Sequence, residues 1–194
     1  MEPIDNNDQL PDPQDVRYGS TAIRYGLYTG LVLVAISLLM YLLGMSDPTK
    51  TGQRWISLVI TVLITAGGMV LANRYHRDEE LGGVMNFGRG FGVSMLVGVA
   101  ASLVSAIYSY LFLKFIDPTV MDKAMEMQRQ QMEGRGMTDE QIEQASKMMD
   151  MFSTPGFASL SAFISSIIFA LIISLVVAAI MQRSEEHTSE LQSL

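Results

Sequence analysis

The 194-residue chain is 49% hydrophobic and only 17% charged, with a formal net charge of −7, a mean hydropathy of +0.27 and no cysteine. Its charges lie in blocks separated by long apolar runs. That excludes a soluble domain, which spreads Lys and Glu through every amphipathic element, and points to a multi-pass membrane protein. Without cysteine there is neither a disulfide frame nor a thiol nucleophile.

The opening MEPIDNNDQLPDPQDVRYGS is acidic and rich in Pro, Asn and Gln. A signal peptide would need a basic start and a short apolar core, so 1–24 is expected to be a solvated, disordered tail. Four segments free of Asp, Glu, Lys and Arg follow, at 25–43, 55–72, 91–113 and 157–180. A hydrocarbon core of about 30 Å needs roughly 20 apolar residues in a helix, and in lipid the backbone must satisfy its own hydrogen bonds. The expected fold is therefore all-α, with four transmembrane helices arranged as two hairpins in a domain over 25–182.

A faint internal repeat supports the pairing. Segment one opens with RYGLYTG and leaves through MSDPTK, while segment three opens with RGFGVSMLVG and leaves through FIDPTV. In each exit Asp47 or Asp117 can cap the next element, and Pro48 or Pro118 stops the helix. Asp-Pro is also a common stop signal, so the likeness fits duplication and chance alike.

Small residues mark the packing faces. Ala158, Ala162, Ser166, Ala170, Ser174 and Ala178 recur every four residues in segment four. Ser94, Gly98, Ser102 and Ala106 do so in segment three, Ser57, Thr61 and Thr65 in segment two, and Gly26 and Gly30 form a GxxxG in segment one. Such strips let helix backbones approach closely, within one bundle or between two copies.

The loop ANRYHRDEELGGVMNFGRGFG could offer His76, Asp78, Glu79 and Glu80 to a cation or a proton. The stronger reading is structural. Arg74, Tyr75 and Arg77 anchor the membrane interface, the acidic triplet stands in solvent, and 82–92 make a flexible turn. GRGFG lacks the Lys-Ser/Thr ending and the preceding strand of a phosphate cradle.

Residues 119–153 are expected to form an extramembrane amphipathic helical hairpin. Met121, Met125 and Met132 fall near helical spacing, Gly134 and Gly136 break the run, and Thr138 with Gln141 matches a capping box. Ile142, Ala145, Met149 and Phe152 then share a face that can lie on the bilayer or on its partner helix. The eight methionines between Met121 and Met151 could in principle ligate cuprous ions. No His or Cys joins them, and Met is an ordinary gap filler.

The last twelve residues, RSEEHTSELQSL, read as the translation of a widely used short-read sequencing adapter. Arg183 to Leu194 are therefore expected to be foreign, the native chain continuing differently after about Gln182. Their removal changes the net charge from −7 to −5. Orientation is balanced by count: Arg17, Arg24, Arg74, Arg77 and Arg89 face Lys50, Arg54, Lys114, Lys123, Arg129 and Lys147 across the bilayer. Three Arg in the short second loop and an acidic third loop favour both termini in the cytoplasm.

The order of a polar tail, RYGLYTG opening the first span, a third span ending in Asp-Pro, and a Met/Glu/Gln-rich amphipathic hairpin closing with FSTPG resembles a bacterial family, domain of unknown function 4199, common in Bacteroidota. The resemblance covers about 17–182 and implies a four-helix inner-membrane protein with no assigned activity. No catalytic, cofactor-binding or metal-binding residue is expected. The expected function is non-enzymatic contact with the lipid bilayer and with a second copy or another membrane protein, and no nucleic acid. A transporter or channel subunit is the alternative, weakened because the four segments carry no ionisable residue. An enzyme ranks last. Its acid or base would have to come from the 76–80 loop or from Asp117, with no second converging group in view.

Overall fold

The computed structural model describes residues 16–45, 51–150 and 152–192, excluding the side chains of Thr51, Arg54 and 183–192. The described residues are helical, with no strand. In order they are α1 (Gly19–Leu42), α2 (Thr51–Tyr75) with a π-helical turn (His76–Glu80), α3 (Phe87–Leu111) with a second π-helical turn (Phe112–Ile116), α4 (Thr119–Gly134), α5 (Asp139–Asp150) and α6 (Pro155–Gln192). Four stretches are long and apolar enough to cross a membrane: Gly19–Leu42, Trp55–Glu80, Phe87–Ile116 and Pro155–Gln182. Each contains one expected segment almost whole; the first three extend it by a turn or more at one or both ends, and the fourth by two residues at each end.

Local chemistry sets the boundaries. α1 ends where Gly44 takes φ +68°, which lets the Met45 N–H reach the Met40 carbonyl at 2.8 Å. Asn86 caps α3, its side chain accepting from Arg89 N at 2.8 Å. Thr154 caps α6 by accepting from Phe157 N at 3.2 Å, and Pro155 takes the first helical position, where its missing N–H costs nothing. The expected capping box is present. Thr138 N donates to Gln141 Oε1 at 3.0 Å, and Gln141 N donates back to Thr138 Oγ1 at 3.4 Å. Gly136 at φ +75° makes the break between α4 and α5, which pack on each other. On α5 Ile142 is buried and Ala145 and Met149 are half-covered, whereas Phe152 is exposed with its ring 4.9 Å from Phe157. Asp47, Pro48, Lys50 and Met151 lie outside the described residues.

α3 is the central helix, packing most extensively on α6 and α1, while α2 touches all three more lightly. The small-residue strips make these contacts. A β-carbon added at Gly26 would lie 2.5 Å from Ala100 Cβ, and one at Gly30 2.7 Å from Val104 Cβ, so the GxxxG of α1 is filled by α3. Ala170, Ser174 and Ala178 of α6 are buried. Outside, the bundle shows Leu31, Leu39, Leu63, Ile107, Ile168 and Ile172; inside it holds Thr21, Asn73, His76, Ser94 and Ser174. An apolar exterior around a partly polar interior suits lipid as the surrounding solvent, because burying those apolar side chains would gain nothing there.

Candidate functional site

Two polar constellations lie at opposite ends of the helices. The first is built where α2 runs into its π-helical turn. His76 and Glu80 are a turn apart on one face, and His76 is fully buried. Arg89, one turn into α3, donates from Nε to His76 Nε2 at 2.9 Å. A guanidinium cannot accept, so Nε2 carries the lone pair and Nδ1 carries the proton it shares with Glu80 Oε2. Glu80 Oε1 accepts from Thr21 Oγ1 at 2.5 Å, and Arg89 also binds the Val16 carbonyl and stands 5.8 Å over the Tyr18 ring. Neutral histidine thus sits between a cation and an anion, joining the start of α1, the end of α2 and the start of α3.

This arrangement corrects two expectations. Asp78 and Glu79 are exposed, Asp78 pairing with Arg77 at 2.7 Å, but Glu80 turns inward. Residues 87–92 are not a flexible turn but the first turns of α3. There Gly92 makes room for Tyr18, whose hydroxyl would lie 3.1 Å from an added β-carbon. The helices also run past the charge-free segments, so that Arg74, His76, Glu80, Arg89 and Lys114 lie on them just beyond 55–72 and 91–113. Both ring nitrogens of His76 and both oxygens of Glu80 are engaged, which leaves this cluster a clasp rather than a base. Among the described residues no group of three or more His, Cys, Asp or Glu could hold a metal ion.

The second constellation is a cavity of about 940 Å³ between α1, α2, α3 and α6, opening beside the first turn of α4. Near the clasp, Met69 and Ala72 seal α2 against the core, but farther toward its start α2 stands off and Thr61 and Thr65 face space. Ala162 and Ser166, the outer half of the α6 strip, line the same space instead of packing. Hydroxyls recur along the walls. Thr65 and Ser102 line the cavity and are only 8% and 7% exposed. The Tyr108 hydroxyl is buried and unpartnered among the described residues.

Charge appears only at the mouth. Asp117 Oδ1 accepts from Thr119 N at 3.1 Å and from Thr119 Oγ1 at 2.5 Å, and Oδ2 accepts from Tyr41 Oη at 3.2 Å. Lys123 Nζ stands 3.9 Å from Oδ2; the Asp117 side chain is 14% exposed and that of Lys123 61%. The Thr119 hydroxyl, more than burial opposes it, holds the Asp117 carboxyl below the usual carboxylate range, with Tyr41 and Lys123 adding to the effect. Asp117 had a visible sequence signal as a cap, and it serves as one. Nothing local pointed to Tyr41, which lies 76 residues away in sequence.

The family described as protein of unknown function DUF4199 matches residues 24–183, most of the chain, with three spans whole and the first from residue 24 onward. The chain belongs to the DUF4199 family. No curated protein matches it. No solved structure matches it either. The cavity and the clasp are the two polar centres of this DUF4199 protein. Among the described residues the cavity holds one of three buried polar atoms without a partner, the Tyr108 hydroxyl; the others are Asn73 Oδ1, beside the start of α3, and Ser159 Oγ.

Proposed function

We propose that this DUF4199 protein is a non-enzymatic protein of the bacterial inner membrane that acts by holding an amphiphilic molecule in the cavity between its spans. The observation that carries this reading is the buried, unpartnered Tyr108 hydroxyl in a space of about 940 Å³ whose mostly apolar walls also present the nearly buried Thr65 and Ser102 hydroxyls. Ligand pockets of roughly 300–1,000 Å³ with a few placed polar groups are the usual small-molecule sites. A buried hydroxyl without a partner costs about 1–3 kcal/mol, which a bound polar group recovers. The small-residue strips are a poorer means of contact, since Gly26, Gly30, Ala170, Ser174 and Ala178 are already buried within the chain.

A solvatochromic long-chain alcohol should bind the purified protein saturably in a neutral maltoside micelle. Ser166→Leu, whose side chain enters the cavity wall, should weaken that binding at least tenfold while leaving the unfolding midpoint unchanged. Ile168→Leu, on the lipid face, should leave both unchanged. Equal, non-saturable partitioning into all three proteins would remove the cavity as a site.

The orientation follows the positive-inside argument: the Arg74, Arg77 and Arg89 end in the cytoplasm, α4 and α5 outside. A cysteine placed at the exposed Gln131 should then react with an impermeant maleimide in intact spheroplasts. Reaction only after lysis reverses the assignment.

A further inference from the structure

We infer that the amphiphile held in the cavity carries a zwitterionic head, an N–H-bearing ammonium that binds Asp117 and an adjacent anionic group that binds Lys123. The inference rests on the cavity reading above and adds the chemistry of its mouth. A carboxylate offers about four acceptor positions. In Asp117 three are filled, by Thr119 N, Thr119 Oγ1 and Tyr41 Oη. The fourth is faced by Lys123 at 3.9 Å, beyond hydrogen-bond reach. A fixed, largely buried anion is thus left one donor short at the edge of an apolar space.

Lys123 supplies the other half. Its ammonium is 61% exposed on a flexible stem in the first turns of α4, with no acceptor in hydrogen-bond range among the described residues. A ligand cation alone would crowd Lys123 against a like charge, and a ligand anion alone would face Asp117. A head with both charges satisfies both side chains and leaves the local charge balanced. Its apolar tail then lies along Leu33, Leu58 and Phe169, with Ser102 and Thr65 deeper in the wall. The other charged group nearby, Lys114, is turned away onto Tyr110 and Phe115, 5.2 and 5.3 Å from their rings.

Two sources share this chemistry, a phosphoethanolamine phospholipid and a lipid headed by a free amino acid. Competition against the solvatochromic alcohol in maltoside distinguishes them. Dioleoyl phosphatidylethanolamine and Nε-palmitoyl-lysine are the two zwitterionic probes. Phosphatidylglycerol lacks the cation, and phosphatidylcholine has a quaternary head with no N–H. At least one zwitterionic probe should compete about tenfold better than either control, and the better of the two names the source. Asp117→Asn keeps the acceptor that holds the first turn of α4, because Asn caps as well as Asp, while it removes the charge. It should abolish the tenfold preference and leave the uncharged alcohol bound as before; Lys123→Gln should act in the same direction.

Acid gives an independent readout. Asp117 titrates below its unfolded value, so its charge and the preference should persist as pH falls from about 8 to 5 and vanish only once pH passes below the ordinary carboxylate value of about 3.9. Tyr41, Tyr108 and Lys123 are the other titratable groups that line the mouth. Zwitterions competing no better than phosphatidylglycerol, or Asp117→Asn weakening the uncharged alcohol equally, would overturn the assignment of the head. Failure of the alcohol itself to bind saturably would instead overturn the cavity reading.

Discussion

Gly98→Leu is expected to separate α3 from α6 and to lower the protein's resistance to unfolding in sodium dodecyl sulfate more than any single change on the lipid face. A β-carbon at Gly98 would lie 2.5 Å from Ala170 Cβ and 3.0 Å from Met69 Cε. Ala170 Cβ is fixed to its helix and cannot swing aside, so even Gly98→Ala must move one backbone relative to the other. Overpacking of this kind costs about 1–3 kcal/mol, against which the helix propensity gained by replacing Gly recovers up to about 1 kcal/mol. Leucine adds three more carbons to the same clash and should fall at or beyond the upper end. Ala170→Leu meets the same contact from the other side and should behave alike. Gly67 provides the control, since an added β-carbon there meets nothing within 4 Å; Gly67→Ala should be neutral or slightly stabilising. Equal midpoints for Gly98→Leu and Gly67→Ala would show that α3 and α6 do not meet as described.

Arg89→Met is expected to destabilise the bundle by about 2–3 kcal/mol in the same assay. It removes the donor to His76 Nε2, the bond to the Val16 carbonyl and the cation over Tyr18. Hydrogen bonds to charged groups contribute about 1.5–3 kcal/mol, and a buried pair that loses one partner costs about 3–5. The Glu80 side chain is 25% exposed and keeps its bond from Thr21, which draws the figure toward the lower end. Glu80→Gln should cost less, and the double variant should cost less than the two singles together, because each single leaves the other's charge stranded. Arg89→Lys restores the charge but not the fork that reaches His76 and Val16 together, so it should recover only part of the loss. Strict additivity, or a loss below about 0.5 kcal/mol for Arg89→Met, would mean that the clasp is not a unit.

The parts of this protein that depend on neighbours in sequence were legible from the chain. An apolar run long enough to span is a local property, and the four runs became four long helices. The Thr138–Gln141 box and the Asp117 stop act over two or three residues and stand where expected. The small-residue strips were legible as packing faces, but their partners were not. Ala162, Ser166, Ala170, Ser174 and Ala178 follow one rule in sequence, yet the last three are buried, whereas Ala162 is exposed and Ser166 half-buried along a cavity that Ala170 also reaches. The difference is set by where α2 leaves the bundle, which no residue of α6 encodes.

Charge was legible least of all. HRDEE looks like a solvated run, and for Asp78 and Glu79 it is. Glu80 and His76 turn inward because Thr21, 59 residues before Glu80, and Arg89, 13 residues after His76, complete their hydrogen bonds. Tyr41 and Asp117 meet across 76 residues for the same reason. By itself the sequence determined that the chain has four helices long and apolar enough to span a membrane, and where several of them are capped, since length, hydropathy and capping act within a few residues. Only the tertiary structure decided which polar side chains are satisfied and which stand open in a cavity, because burial and pairing are set by helices brought together from distant parts of the chain.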